Sequence, residues 1–71
     1  MSIGELITVI APNTDVRIRI VDYGTITGTT GIRKTQKLLD ELNRAKVSDY
    51  YVNAIYPLYR ARELYIETIP C

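Results

Sequence analysis

The stretch Val47–Ile69, VSDYYVNAIYPLYRARELYIETI, decides the fold that this sequence predicts. It holds five of the six tyrosines, and most of its other residues are β-branched or aliphatic, which suits a pleated, half-buried strand surface. Pro57 cannot donate a hydrogen bond to a neighbouring strand, so it marks a strand end or an edge strand. The polar segment 59–63 separates two apolar runs. The stretch therefore predicts a β-hairpin with a longer loop, which the rest of the chain must pair with or cover.

A second strand pair is predicted upstream. Residues 15–22 alternate between apolar and polar, with Val16, Ile18 and Ile20 on one side and Arg17 and Arg19 on the other. Residues 22–24 carry a turn signal, and Thr25–Thr27 forms a short run that can pair back as the next strand.

Two helices complete the pattern. Ser2, with Glu5 three residues later, fits a capping box before a helix over residues 3–10. The second helix is predicted over 32–46, with Thr30 or Thr35 as its N-cap. Its apolar stripe is made by Leu38, Leu42 and Ala45 and widened by Ile32 and Leu39.

These elements predict an α+β fold in one domain, residues 1–71. The order is helix-strand-strand-helix-strand-strand, giving a four-stranded, mainly antiparallel sheet with two helices on one face. One question stays open along the third strand. Either Val52, Ala54 and Tyr56 or Tyr51, Asn53 and Ile55 face the core.

The amino-acid composition argues against several classes of function. Lys plus Arg number 9 against 8 Asp plus Glu, so the net charge of +1 argues against a generic DNA-binding protein. There is no histidine, and Cys71 is the only cysteine, so neither an internal disulfide nor a zinc site is expected. Without histidine, the usual general base is missing, and the carboxylates are scattered. We expect a non-enzymatic protein without cofactor or metal.

Length and hydropathy add two expectations. A chain of 71 residues buries a thin core, which a homodimer would supplement. The apolar run at residues 3–11 contains Glu5 and lacks a basic leader, so neither a signal peptide nor a membrane span is predicted. The expected location is the cytoplasm.

Four short segments carry a resemblance to a known group of proteins: APNTDVRI at 11–18, AKV at 45–47, IYP at 55–57 and ELYIE at 63–67. In this arrangement the chain resembles small accessory proteins of bacterial viruses and prophages. The resemblance implies a protein that works in the host bacterial cell by binding, as such proteins block host defence nucleases, sequester signalling nucleotides or regulate transcription. It implies no catalytic residue.

Three binding hypotheses follow. The first is inhibition or sequestration of a host defence protein through protein–protein contact, because tyrosine and arginine are enriched at binding hot spots. Its predicted contact residues are Tyr51, Tyr56, Tyr59, Arg60, Arg62 and Tyr65. The second is a small-anion or nucleotide sponge, in which the Thr-Gly segment, residues 25–31 before the second helix, cradles a phosphate. Its predicted residues are Arg17, Arg19, Thr29, Thr30 and Arg33. The third is nucleic-acid binding by tyrosine stacking.

Overall fold

The computed structural model describes residues 1–58 and 62–70. Two helices and four strands follow the predicted order: α1 Ile3–Val9, β1 Asp15–Ile20, β2 Gly24–Thr29, α2 Lys34–Arg44, β3 Tyr51–Leu58 and β4 Glu63–Ile69. The α+β prediction is confirmed. β2 is longer than the predicted run 25–27, β1 ends two residues early, and each helix is shorter than its predicted span.

The strands form a single sheet in the order β2-β1-β4-β3. Each hairpin pair, β1 with β2 and β3 with β4, is antiparallel as expected, whereas β1 and β4 run parallel at the centre. The sheet is therefore mixed rather than mainly antiparallel. The reason is the route of the chain, since α2 carries it from one edge strand to the other and leaves β4 to enter beside β1.

Both helices cover the same face of the sheet. On β1, Val16, Ile18 and Ile20 are buried while Arg17 and Arg19 are exposed, so the predicted alternation is confirmed. Ile26 and Ile66 are the direct neighbours of Ile18 on either side, and both are buried. The helices close this core with Ile3, Ile7, Leu38 and Leu42. The opposite face of the sheet has no helix over it in the described part of the chain.

The predicted N-cap of α1 is confirmed, and the predicted N-cap of α2 is wrong. The Ser2 hydroxyl accepts the Glu5 backbone N–H at 3.2 Å, as a helix N-cap should. Helix α2 begins after Arg33, whose left-handed backbone (φ 66°) takes the N-cap position without a side-chain hydrogen bond. Neither Thr30 nor Thr35 caps it, because the Thr30 hydroxyl donates to the Ala11 carbonyl and the Thr35 hydroxyl accepts the Gly31 N–H. Ile32 is 90% exposed, so its assignment to the apolar stripe was also wrong.

A β-bulge resolves the open parity of β3. Val52 lies opposite Thr68 and Ala54 lies opposite Glu67, so Asn53 is an extra residue in β3. Because directly opposed residues share a face, the side-chain direction shifts by one at this point. Before the bulge Val52 lies on the helix side of the sheet and packs against the core. After the bulge Ile55 lies on that side, opposite Ile66, and is 44% exposed. Each of the two alternatives therefore holds for one half of the strand.

Candidate functional site

The uncovered side of the sheet, here called the outer face, collects the polar and aromatic side chains of all four strands. Strand register assigns its members, since opposed residues point the same way. They form four rows across the sheet: Thr29, Asp15, Glu63 and Leu58; Thr27, Arg17, Tyr65 and Tyr56; Thr25, Arg19, Glu67 and Ala54; and, on the second hairpin alone, Ile69 and Tyr51.

The hairpin of β3 and β4 supplies the apolar part of this face, which we call the aromatic half and define by Tyr51, Tyr56, Leu58, Tyr65 and Ile69. Four of these side chains are large and exposed: Tyr51 by 47%, Tyr56 by 50%, Leu58 by 41% and Ile69 by 42%. The rings of Tyr56 and Tyr65 are 6.0 Å apart at 45°, within the range of favourable aromatic pairs. Such a concentration of exposed apolar side chains on one face is typical of an interaction surface.

The hairpin of β1 and β2 supplies the polar half. The Arg17 Nε lies 3.1 Å from a Glu63 carboxylate oxygen, and the Thr29 hydroxyl donates to Asp15 at 2.7 Å. Arg19 stands beside Glu67 in the register without a side-chain partner in residues 1–58 and 62–70. The polar half and its β4 neighbours thus offer two cations, Arg17 and Arg19, against the carboxylates of Asp15, Glu63 and Glu67. This balance does not favour a polyanion.

A depression of about 530 Å³ lies where the first hairpin turns. Arg19, Thr25 and Tyr65 line it from the sheet, and Tyr23 lines it from the turn. One guanidinium and two phenol rings thus line the same depression, a combination that suits a flat, negatively charged group. Tyr23 is 59% exposed.

The structure brings three of the predicted contact residues together. Tyr51, Tyr56 and Tyr65 share the outer face, and Arg62 is exposed in the connection just before β4. Tyr59 and Arg60 lie outside the described residues, as does Cys71. Sequence reasoning missed Leu58, Ile69 and Tyr23. Alternation along 63–69 would have placed Ile69 beside Tyr65, but Leu58 could be placed only once the bulge was known.

The residues predicted for an anion site are not brought together. Thr30 is fully buried, and its hydroxyl donates to the Ala11 carbonyl at 2.6 Å and accepts the Thr14 N–H at 3.1 Å. The Thr29 hydroxyl is bound to Asp15. Arg33 caps α2 in the helical layer, whereas Arg17 and Arg19 belong to the outer face. The Thr-Gly segment thus ties together the loops at the base of β1 and β2.

No cluster of three or more His, Cys, Asp or Glu side chains in the described residues could hold a metal ion. Neither of the described helices has the length and hydropathy needed to cross a membrane. The chain matches no protein-family model, no curated protein and no solved structure.

Proposed function

We propose that this chain is a non-enzymatic binding protein of a bacterial virus or prophage, acting in the host cell by inhibiting or sequestering a host protein. The observation that supports the proposal is the aromatic half of the outer face, where Tyr51, Tyr56, Leu58 and Ile69 are all more than 40% exposed. A side chain that serves only the fold gains by being buried. These four are held by the sheet and yet each keeps more than 40% of its surface exposed.

The chemistry of the aromatic half suits a protein partner. Tyrosine buries a large area with few rotatable bonds and keeps a polar group for the rim, which makes it a frequent hot-spot residue. Arg17 is already paired with Glu63, so the centre of the face carries little uncompensated charge. A neutral, aromatic surface with a polar border resembles the core and rim of a protein interface.

A pull-down from bacterial host lysate tests this proposal, with Tyr56→Ala as the variant and Val9→Ala as the matched control. Val9 is also an exposed apolar residue, but it lies on α1 in the helical layer. We expect Tyr56→Ala to abolish capture of the partner and Val9→Ala to retain it, with melting temperatures close to the parent. Equal capture by both variants would refute the assignment of the contact surface. If the Tyr56→Ala variant is unfolded, Tyr56 is needed for the fold rather than for contact with the partner.

A nucleotide or small-anion sponge is the second candidate. The observation in its favour is the depression in which Arg19 lies near the rings of Tyr23 and Tyr65. A base stacked on tyrosine with phosphate at Arg19 would suit this arrangement. A thermal-shift panel of cyclic and linear nucleotides tests it, with Arg19→Gln as the variant. A shift that is lost in Arg19→Gln would support it, and no shift at millimolar ligand would reject it.

Nucleic-acid binding is the third candidate. It requires affinity that falls steeply with salt, because neutralised phosphates release counterions. If capture of the host partner is unchanged as the salt concentration rises from about 50 to 200 mM, nucleic-acid binding is excluded.

A further inference from the structure

The two edges of the sheet differ in how far they are protected against pairing with a further strand. At the β3 edge, the Val52 N–H donates to the Met1 carbonyl at 2.9 Å, and Ser2 forms a bridge with Tyr51. The Asn53 bulge and Pro57 then interrupt the rest of that edge. A covering segment, a bulge and a proline are the devices by which proteins prevent further strands from adding.

The β2 edge has none of these devices. Its six residues, GTITGT, include no proline and no charged side chain, and they pair in unbroken register with β1. β2 is the last strand on its side of the sheet. No other strand in residues 1–58 or 62–70 pairs with its outer side, so that side presents backbone donors and acceptors in a regular row.

A groove of about 300 Å³ runs between this edge and α2. Residues 27–29 form one wall, and Lys34, Lys37, Leu38 and Glu41 form the other. Leu38 packs against Gly28, where an added Cβ would come within 2.8 Å of a Leu38 methyl carbon. Leu38 is itself buried, so it closes the bottom of the groove beside the free row of backbone groups.

The charges of the groove indicate what it would accept. Lys34 and Lys37 are exposed, and neither ammonium has a carboxylate within 4.0 Å in the described part of the chain. Glu41, on the same wall, is half-buried. A second copy paired through β2 would add two further lysines and one glutamate, a net positive charge, to the same edge. Charge complementarity therefore favours an acidic occupant over a second copy of the chain.

We propose that the β2 edge binds an extended acidic peptide segment of another protein as a fifth strand. Backbone hydrogen bonds to β2 would provide the affinity, as in other cases of strand addition. Asp or Glu side chains of the peptide would approach Lys34 and Lys37. This site is separate from the aromatic half, which belongs to the opposite hairpin, so either site can exist without the other.

Selection from a phage-displayed library of random linear twelve-residue peptides against the full chain tests the proposal. We expect selected peptides to be rich in Asp and Glu and in β-branched residues. Fluorescence anisotropy with the best synthetic peptide would give its affinity for the parent. The charge-reversed variant K34E/K37E should bind about tenfold more weakly or worse, since two ion pairs become two repulsions. The matched control E41K should bind as well as the parent or better.

Backbone chemistry gives an independent measurement. N-methylation of the peptide at one set of alternate positions should weaken binding about tenfold, and methylation at the other set should not, because only alternate N–H groups face β2. Tyr56→Ala should leave the peptide affinity unchanged. Selected peptides without acidic residues, an unaltered affinity in K34E/K37E, or equal effects of both methylation patterns would overturn the proposal. A homodimer that competes with the peptide in sedimentation experiments would also overturn it, by identifying the occupant as a second copy.

Discussion

Thr30→Val separates a structural role for the Thr-Gly segment from an anion-binding one. Valine has nearly the shape of threonine, so the substitution leaves packing almost intact and removes the hydroxyl. That hydroxyl is fully buried and links two chain segments, since it donates to the Ala11 carbonyl and accepts the Thr14 N–H. The backbone of Thr30 adds two further bonds to the same loop, to Thr14 and from Asn13, and these would survive.

The expected loss can be worked from these contacts. Each hydrogen bond contributes about 1 kcal/mol to the free energy of unfolding, so two give ~2 kcal/mol. The Ala11 carbonyl keeps the Thr14 hydroxyl as a second donor at 2.8 Å. The Thr14 N–H has no such alternative but is only half-buried, so water can partly replace the lost partner. In a domain of this size, ~2 kcal/mol lowers the melting temperature by roughly 8–16 °C.

Thermal and urea unfolding followed by circular dichroism would measure the change, with Thr29→Val as the control. Thr29 loses a hydroxyl bonded to the exposed Asp15 carboxylate, and we expect a change below ~1 kcal/mol there. If Thr30→Val melts with the parent, the hydroxyl does not hold the loop and the structural reading of this segment fails. Stability that depends on added phosphate in the parent and not in Thr30→Val would instead restore the anion site.

Three further predictions concern the scaffold. Gly4→Ala should destabilise the fold by about 1–3 kcal/mol in urea unfolding despite the better helix propensity of alanine, because a methyl group there would lie 2.9 Å from the Ser48 carbonyl oxygen; a more stable variant would contradict this. Arg17→Gln should change the free energy of unfolding by no more than ~0.5 kcal/mol, since its ion pair with Glu63 is half exposed; a large loss would show the pair to be structural. Deletion of Asn53 should leave unfolding cooperative in calorimetry, because Val52 and Ala54 then become neighbours and β3 pairs with β4 in one regular register with both halves on their present faces; loss of the cooperative transition would contradict the assignment of Asn53 as the extra residue.

Hydrophobic alternation and capping residues predicted the single strands and helix starts, because these features depend on residues close together in the sequence. The alternation around Ile18 specified β1 and its buried side, and Ser2 with Glu5 specified the start of α1. The parallel pairing of β1 with β4 was not predictable, because alternation says which face a strand buries and not which strand lies beside it. Helical spacing predicts that Ile32 widens the apolar stripe of α2, yet the left-handed residue Arg33 starts the helix later and leaves Ile32 in solvent.

The candidate site was predictable in its composition but not in its geometry, and the bulge at Asn53 is the reason. Tyr51 and Tyr56 are five residues apart, so a regular strand would place them on opposite faces. The extra residue brings both to the outer face and, in the same step, turns Val52 and Ile55 toward the helices. A single inserted residue therefore serves the core and the surface together. It lets Val52 pack against the core, and it gathers on the other side the exposed rings on which the proposed docking of a host protein depends.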